Sequence, residues 1–366
     1  MMKRKAIAVI LSTVLVMGLT ACGGQAADNA DSSAAAGEEA QEEGDAEENT
    51  DAAANSDLKM AWYAPAPHPY FDEVQKGVEK FAEDEGVDVT IQIGPDWTQA
   101  SENEKVEALV AQGVNALSIY PCDASGANGL YEEISEKAGV DVINFGSDTA
   151  SPSKASFAVA TDVKQAAYDA TETIIKMMGE KGNILNVLEV LEDPNTALRK
   201  EGVEEAVAAY PDVQIIQEIA GIKTQEEAVS KIESALSANV GKIDGIVCTG
   251  LVTSVGMTQT LGDYYEKQGD DKHIYTIGID TDEGVMNGIE EGIVDATIAQ
   301  NNLGHGYISC ALLKYMSEGY EVKEGEYFIN AGTVVVTKDN MDSYADELQK
   351  VTDEILSKLT ADYLTK

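Results

Sequence analysis

From Leu58 onward, short apolar runs rich in β-branched residues alternate with longer stretches whose apolar positions recur at helical spacing. The first of these predicts a strand over 59–63 and a helix over 71–85. In that helix Phe71, Val74, Val78, Phe81 and Ala82 share one face, while Asp72, Glu73, Lys76, Glu79 and Lys80 cover the other, so one side packs and the other is solvated. Strands over 87–93, 114–120 and 140–145 follow, with helices over 102–112 and 126–137 between them. Strands thus recur about every 26 to 29 residues, the length of a βα unit, which predicts a parallel sheet. After a strand over 156–160 a second series begins, with strands over 183–190, 213–219, 243–249 and 274–279. Helices over 165–178, 196–209, 225–238, 252–268 and 283–291 separate and follow them. One sheet does not accommodate so many strands, so the expected fold is α/β with two doubly wound parallel-sheet lobes. Such sheets bind ligands beyond the carboxyl ends of their strands. Function is therefore expected in the segments 65–70, 95–97, 121–123, 146–148, 192–199, 250–253 and 280–282, although each taken singly reads better as a solvated connection.

Residues 1–57 break this rhythm. Lys3, Arg4 and Lys5 precede an apolar run over 6–19 that is short for a membrane span and suits a secretory signal, so an exported protein is expected. Its end, Leu19-Thr20-Ala21-Cys22-Gly23-Gly24, resembles the bacterial lipoprotein signal. That resemblance implies removal of residues 1–21, lipidation of Cys22 and anchorage to a cell membrane, with the Gram-positive cell surface as the expected location. A plain signal peptide with a chance cysteine is the alternative. Residues 22–57 hold 11 acidic side chains and no basic one among Ala, Gly and Ser, a composition that cannot bury a core and reads as a flexible tether.

Over the whole chain of 366 residues, 65 acidic side chains stand against 25 basic, a net charge of −40. This sets nucleic acid and an anionic membrane face aside as principal partners. Removing the 11 acids and three bases of residues 1–57 leaves 54 acidic against 22 basic side chains in the body, still strongly acidic. With 44% apolar residues but five Phe and two Trp, that body packs mainly through aliphatic side chains. Cys122, Cys248 and Cys310 follow no metal-ligand spacing and predict no disulfide; Cys248 lies in an apolar strand-like run and Cys310 in a helical one, and both read as small buried hydrophobes. His68, His273 and His305 are too scattered to suggest a metal, and no cofactor motif is present.

The stretch from Ala64 to Phe71, with Gln75-Lys76-Gly77 and then Leu109 to Leu117, resembles the opening of the type I periplasmic binding proteins of the ribose and galactose kind. The resemblance continues in order through Val142 to Asp148, Asn195 to Gly202 with Arg199 as the arginine of an Arg-x-x-Gly helix start, Ile277 to Asp280, Gly292 to Gln300 and Gly332 to Thr337. Each motif is weak alone, but order and spacing together cover 58–340. It implies a monomeric sugar receptor of an ABC importer that catalyses nothing, holding a monosaccharide or related small polyol between two lobes and delivering it to a permease. Three crossing strands would join a first lobe of 58–160 plus 301–331 to a second of 161–300 plus 332–366.

A sugar offers paired hydroxyls and an apolar C–H face, so its site needs charged grips and an aromatic plate. Asp148 and Asp280 can accept, Arg199 can donate through a fork, Gln300 can do both, and Tyr70 and Phe71 can supply the plate. His68, Trp97, Ser147 and Asn195 complete the candidate set. Most have a structural alternative: Tyr70 or Phe71 as the staple at the start of the first helix, with Phe71 fitting its buried face, Asp148 as a turn or cap residue, Asp280 or Asn195 as a helix cap, Arg199 as a surface cation, His68 and Trp97 as exposed loop residues. The chain also departs from the ribose pattern. Gly146-Ser147 stands where an Asp-Arg pair is usual and Gly250 where an asparagine is, while Gly94-Pro95-Asp96-Trp97 resembles members that bind rhamnose or the furanosyl signal autoinducer-2. No nucleophile elbow, zinc-protease helix, Walker loop or dinucleotide fingerprint is present. The functional alternative is a sensory receptor signalling to a kinase or chemoreceptor.

Overall fold

The computed structural model describes residues 58–191, 193–268 and 272–366. The expected signal, Cys22 and the tether lie outside the described residues. The first sheet takes β1 (Met60–Ala64), β2 (Val89–Ile93), β3 (Ala116–Ile119), β4 (Asp141–Phe145) and β5 (Phe157–Ala160), separated by α1 (Pro69–Glu85), α2 (Gln99–Ala111) and α3 (Gly126–Ala138). After α4 (Val163–Met177), the second sheet takes β6 (Gly182–Val187), β7 (Val213–Ile219), β8 (Gly245–Cys248), β9 (Tyr275–Ile279) and β10 (Ala296–Gln300), with α5 (Pro194–Ala208), α6 (Gln225–Ala238), α7 (Leu251–Gln268) and α8 (Glu283–Glu291) between them. The remainder is α9 (Asn302–Ser317), β11 (Glu321–Val322), β12 (Phe328–Asn330), β13 (Thr333–Thr337), α10 (Tyr344–Lys358) and β14 (Leu364–Thr365).

Both sheets run in the same order, β2-β1-β3-β4-β5-β12 and β7-β6-β8-β9-β10-β13. Every pairing is parallel except β10 with β13. Helices cover both faces, and the apolar residues divide accordingly: along β1, Met60, Trp62 and Ala64 enter one core while Ala61 and Tyr63 enter the other, the period of two that a doubly covered strand requires. In each sheet the strand order reverses beside the first strand, between β1 and β3 and between β6 and β8. The loops leaving that switch point form a crevice at the carboxyl edge.

The chain crosses between the sheets after β5, after β10 and after β12, and its tail returns to the first lobe after β13. These crossings are bonded to one another: Ala331 N–H donates to Ala160 C=O at 2.9 Å, and Asn301 Nδ2 donates to Ala331 C=O at 2.8 Å. β13 joins the second sheet. The tail beyond it departs from the expected division, because Leu359 and Leu364 are buried in the first sheet's core, with Ile355, Leu356 and Tyr363 packed against it. The apolar face of the C-terminal helix finds its partner in the first lobe, and β14 pairs with β11 there.

Candidate functional site

The first lobe contributes an aromatic wall. Helix α1 starts with Pro69 after His68, whose ring Nδ1 accepts the N–H of Tyr70 at 3.1 Å and caps the helix. In the neutral ring this places the proton on Nε2. Tyr70, half-buried, bonds its hydroxyl to His305 Nδ1 at 2.9 Å. Phe71 is buried at 1% exposure and stands edge-on to Trp62, Tyr120 and Phe145. It also lies tilted against Trp97 with ring centroids 5.3 Å apart. Phe71 therefore belongs to the core and forms the base on which the 45% exposed ring of Trp97 rests. Tyr120, at the end of β3, meets Trp97 edge to face at 5.2 Å. Burial pushes its phenol above the usual range, and the Ser147 hydroxyl, hydrogen-bonded to it, works the other way.

The second lobe contributes charge. Asp280 follows β9 at φ +69°, a left-handed conformation that Asp tolerates better than most residues. It is pinned there by β10: its N–H donates to Ile298 C=O at 2.8 Å, its C=O accepts from Thr297 Oγ1 at 2.7 Å, and its Oδ1 accepts from Gln300 Nε2 at 2.7 Å. Burial raises the Asp280 carboxyl above the usual range, opposed by the Gln300 hydrogen bond and the Arg199 guanidinium. The cap of α8 is instead Asp282, which accepts from Gly284 N–H at 2.8 Å. Arg199 sits in the second turn of α5. The glycine three residues on has a packing reason: a Cβ at Gly202 would lie 2.2 Å from Lys164 C=O, so only glycine lets α5 approach α4 this closely. Arg199 Nε is buried with no protein hydrogen-bond partner among the described residues. Its charge is felt at Asp280, at Glu189 and, across the crevice, at Tyr120.

Asp148 serves local structure, and Asn195 is not the cap of its helix. Asp148 Oδ1 accepts from Thr149 N–H at 2.6 Å and from the Tyr327 hydroxyl, the turn role foreseen as its alternative. Asn195 occupies the first turn of α5, capped by Asp193, which accepts from Asn195 N–H at 3.1 Å and Thr196 N–H at 3.3 Å. A cavity of about 560 Å³ opens between the lobes, and its wall brings together His68, Tyr70, Asp280 and Gln300 with Asn301 and Tyr344. Phe71, Trp97, Ser147, Asp148, Asn195 and Arg199 are not part of that wall.

Three further residues emerge only from the fold. Tyr120 completes the aromatic wall. His305, 1% exposed on α9, holds Tyr70 in place; burial lowers its pKa to about 3, so the ring is neutral. Glu189 lies at the carboxyl end of the second sheet because β6 ends at Val187, whereas the apolar run suggests a strand continuing to 190. Burial raises its carboxyl above the usual range, countered by the Val252 N–H and by Arg199.

Residues 63–321 match the periplasmic binding protein domain family, most of the chain. The xylitol-binding protein of Mycolicibacterium smegmatis is 24% identical over 298 residues, 80% of this chain and 81% of that protein. The sugar-binding protein of a sugar ABC transporter from Bacillus halodurans superposes with a TM-score of 0.70 at 20% identity, over 79% of this chain and 99% of that one. An arabinose-binding protein from Geobacillus stearothermophilus does so with a TM-score of 0.69 at 21% identity, over 79% of this chain and 99% of that one.

Proposed function

Because the chain belongs to the periplasmic binding protein family, we propose that it captures a neutral monosaccharide or small polyol between its lobes, delivers it to an ABC permease and turns nothing over. The observation that carries this reading is Arg199, whose buried Nε lacks a hydrogen-bond partner among the described residues while its charge acts on Glu189, Asp280 and Tyr120. A buried unpaired donor costs about 1–3 kcal/mol, a cost that a ligand hydroxyl arriving between the lobes removes. Trp97 and Tyr120 offer apolar ring surface to a sugar's C–H face, His68 Nε2 offers a donor, and Asp280 with Gln300 offers a paired acceptor and donor. Glu189, Asp193 and Asp280 against the single Arg199 make the crevice net negative and unfavourable to acidic sugars. The relatives named for xylitol, D-apiose and arabinose support a small polyhydroxylated ligand. The same reading takes the protein as a monomeric lipoprotein held by Cys22 at the outer face of a Gram-positive membrane, with residues 22–57 as the tether.

A thermal-shift panel of xylitol, D-apiose, D-ribose and D-arabinose tests the ligand class. A ligand at a hundredfold excess over its dissociation constant adds about 2.7 kcal/mol. For a protein of this size that raises Tm by roughly 5 °C. Arg199→Ala should abolish the shift and leave the unliganded Tm nearly unchanged; a variant that melts early yet binds normally would make Arg199 structural. Cys22→Ser should release the protein from the membrane fraction, and unchanged retention refutes the anchor.

A further inference from the structure

In the second sheet the strand order reverses between β6 and β8, and the segments leaving those two strands meet at Glu189 and Gly250. Glu189 is held from two sides. Its backbone C=O accepts from Gly221 N–H at 2.8 Å, and its side-chain Oε1 accepts from Val252 N–H at 3.1 Å, in the first turn of α7. The N-terminal end of a long helix stabilises a carboxylate placed there. The space for it exists because residue 250 has no side chain: a Cβ on Gly250 would lie 2.3 Å from both Cδ and Oε1 of Glu189, so any other residue displaces the carboxylate. The second oxygen, Oε2, has no hydrogen-bond partner among the described residues, and the group shares its surroundings with Arg199, Asp280 and Asp193.

We infer that Glu189 is a specificity-determining residue that grips the ligand, its carboxylate seated in the space that Gly250 leaves open and its free oxygen accepting a ligand hydroxyl. The inference rests on the sugar or polyol reading and deepens it. A carboxylate accepts and never donates, so at this point the site takes an O–H and refuses a second carboxylate. Glycine at 250 and glutamate at 189 form one device: the glycine makes room, and the helix start fixes one oxygen so that the other is preorganised for the ligand.

Titration calorimetry on the whole protein tests this, with xylitol, D-apiose and D-ribose as neutral probes and D-glucuronate as the acidic one. A hydrogen bond to a charged group contributes enough that Glu189→Gln should weaken the best neutral probe by about 10- to 100-fold. The same variant should narrow the gap between that probe and D-glucuronate. Gly250→Ala should reproduce the loss by displacing the carboxylate, and if it fails to fold, Glu189→Gln and Glu189→Ala carry the test alone. Neutral-probe affinity within twofold of the unchanged protein in both Glu189 variants overturns the inference and leaves the sugar reading standing. Failure of the unchanged protein to bind any neutral probe overturns that reading, and this inference with it.

Discussion

Asn301 stands where the chain returns from the second sheet to the first, and Asn301→Ala should cost about 3 kcal/mol of folding stability, the sum of two losses. Asn301 is 1% exposed. Its Oδ1 accepts from Gly304 N–H at 3.0 Å, capping α9. Its Nδ2 donates to Ala331 C=O at 2.8 Å and to Thr352 Oγ1 at 2.9 Å. Losing a cap of this kind costs about 1 kcal/mol. Stranding the carbonyl of fully buried Ala331 costs a further 1–3 kcal/mol, because no water reaches it in the folded state. The Thr352 hydroxyl loses less, since it keeps the Leu348 C=O at 3.1 Å. Against a total stability of roughly 5–15 kcal/mol this is a large fraction. Urea unfolding at pH 7 followed by far-UV circular dichroism reads it directly. Thr352→Val should cost about 1 kcal/mol alone, and the double variant should cost less than the sum by about 0.5–1 kcal/mol, because the two share a bond. A loss below about 0.5 kcal/mol for Asn301→Ala, or strict additivity, would refute the claim that this side chain ties the crossings together.

Glu102, fully buried, accepts Cys122 N–H through Oε2 at 2.6 Å while Oε1 has no hydrogen-bond partner among the described residues, and burial raises its carboxyl above the usual range. A raised folded-state value means the ionised form destabilises the fold at neutral pH, so Glu102→Gln should raise the urea midpoint at pH 7–8. The gain should vanish as pH falls through that raised value towards the unfolded one, and a gain that persists at pH 4 contradicts the assignment. For His305, lowered from 6.5 to about 3 by burial, the unfolded chain takes up the proton first. Its contribution is complete above pH 6.5 and drains as pH falls towards 3, by at most about 1.4 kcal/mol per unit. His305→Gln should flatten that part of the stability profile, and parallel profiles for the two proteins would show that His305 is not the source. Ligand that bridges the lobes selects the closed arrangement, so small-angle scattering should show contraction at saturation with the sugar found by thermal shift; superimposable curves speak against closure.

The strands and most helices are legible because each buries a distinct pattern: runs of four to six apolar residues for strands covered on both faces, and a single apolar stripe for helices such as α1. Helix α9 is legible only as a helical run around Cys310, without bounds or a buried face. Its residues from Gly304 to Leu313 are all buried, so no polar face marks its period, and His305 in its midst shows no sign of its contact with Tyr70. Glu189 is hidden for a different reason: it interrupts an apolar run that reads as continuous strand, and only the end of β6 at Val187 turns it into a crevice residue. Asp280 and Asp282 are indistinguishable as caps from composition alone. The positive φ of the first and the bond from Gly284 N–H to the second decide between them. The destination of the tail depends on contacts more than 200 residues away in sequence, such as Leu364 against the core that holds Trp62.

The aromatic wall and the crossings form one bonded unit. Tyr70 faces the crevice and bonds His305 Nδ1, and His305 Nε2 lies 3.4 Å from Thr161 Oγ1 in the first crossing. Asp162 N–H, one residue on, donates to Asn330 Oδ1 at 3.1 Å, which also accepts from Gly332 N–H at 3.0 Å in the third crossing. Asn301, in the second, bonds Ala331 between them. Breaking several such bonds at once to move the lobes would cost several kcal/mol, comparable to the whole gain from a bound sugar. Rotation that preserves them must place its dihedral changes beyond the knot, towards the second sheet, where Gly332 already adopts φ +82°. The aromatic wall of the first lobe therefore moves with the crossings, and on the proposed reading Arg199, Asp280 and Glu189 are the groups that would swing on and off the sugar.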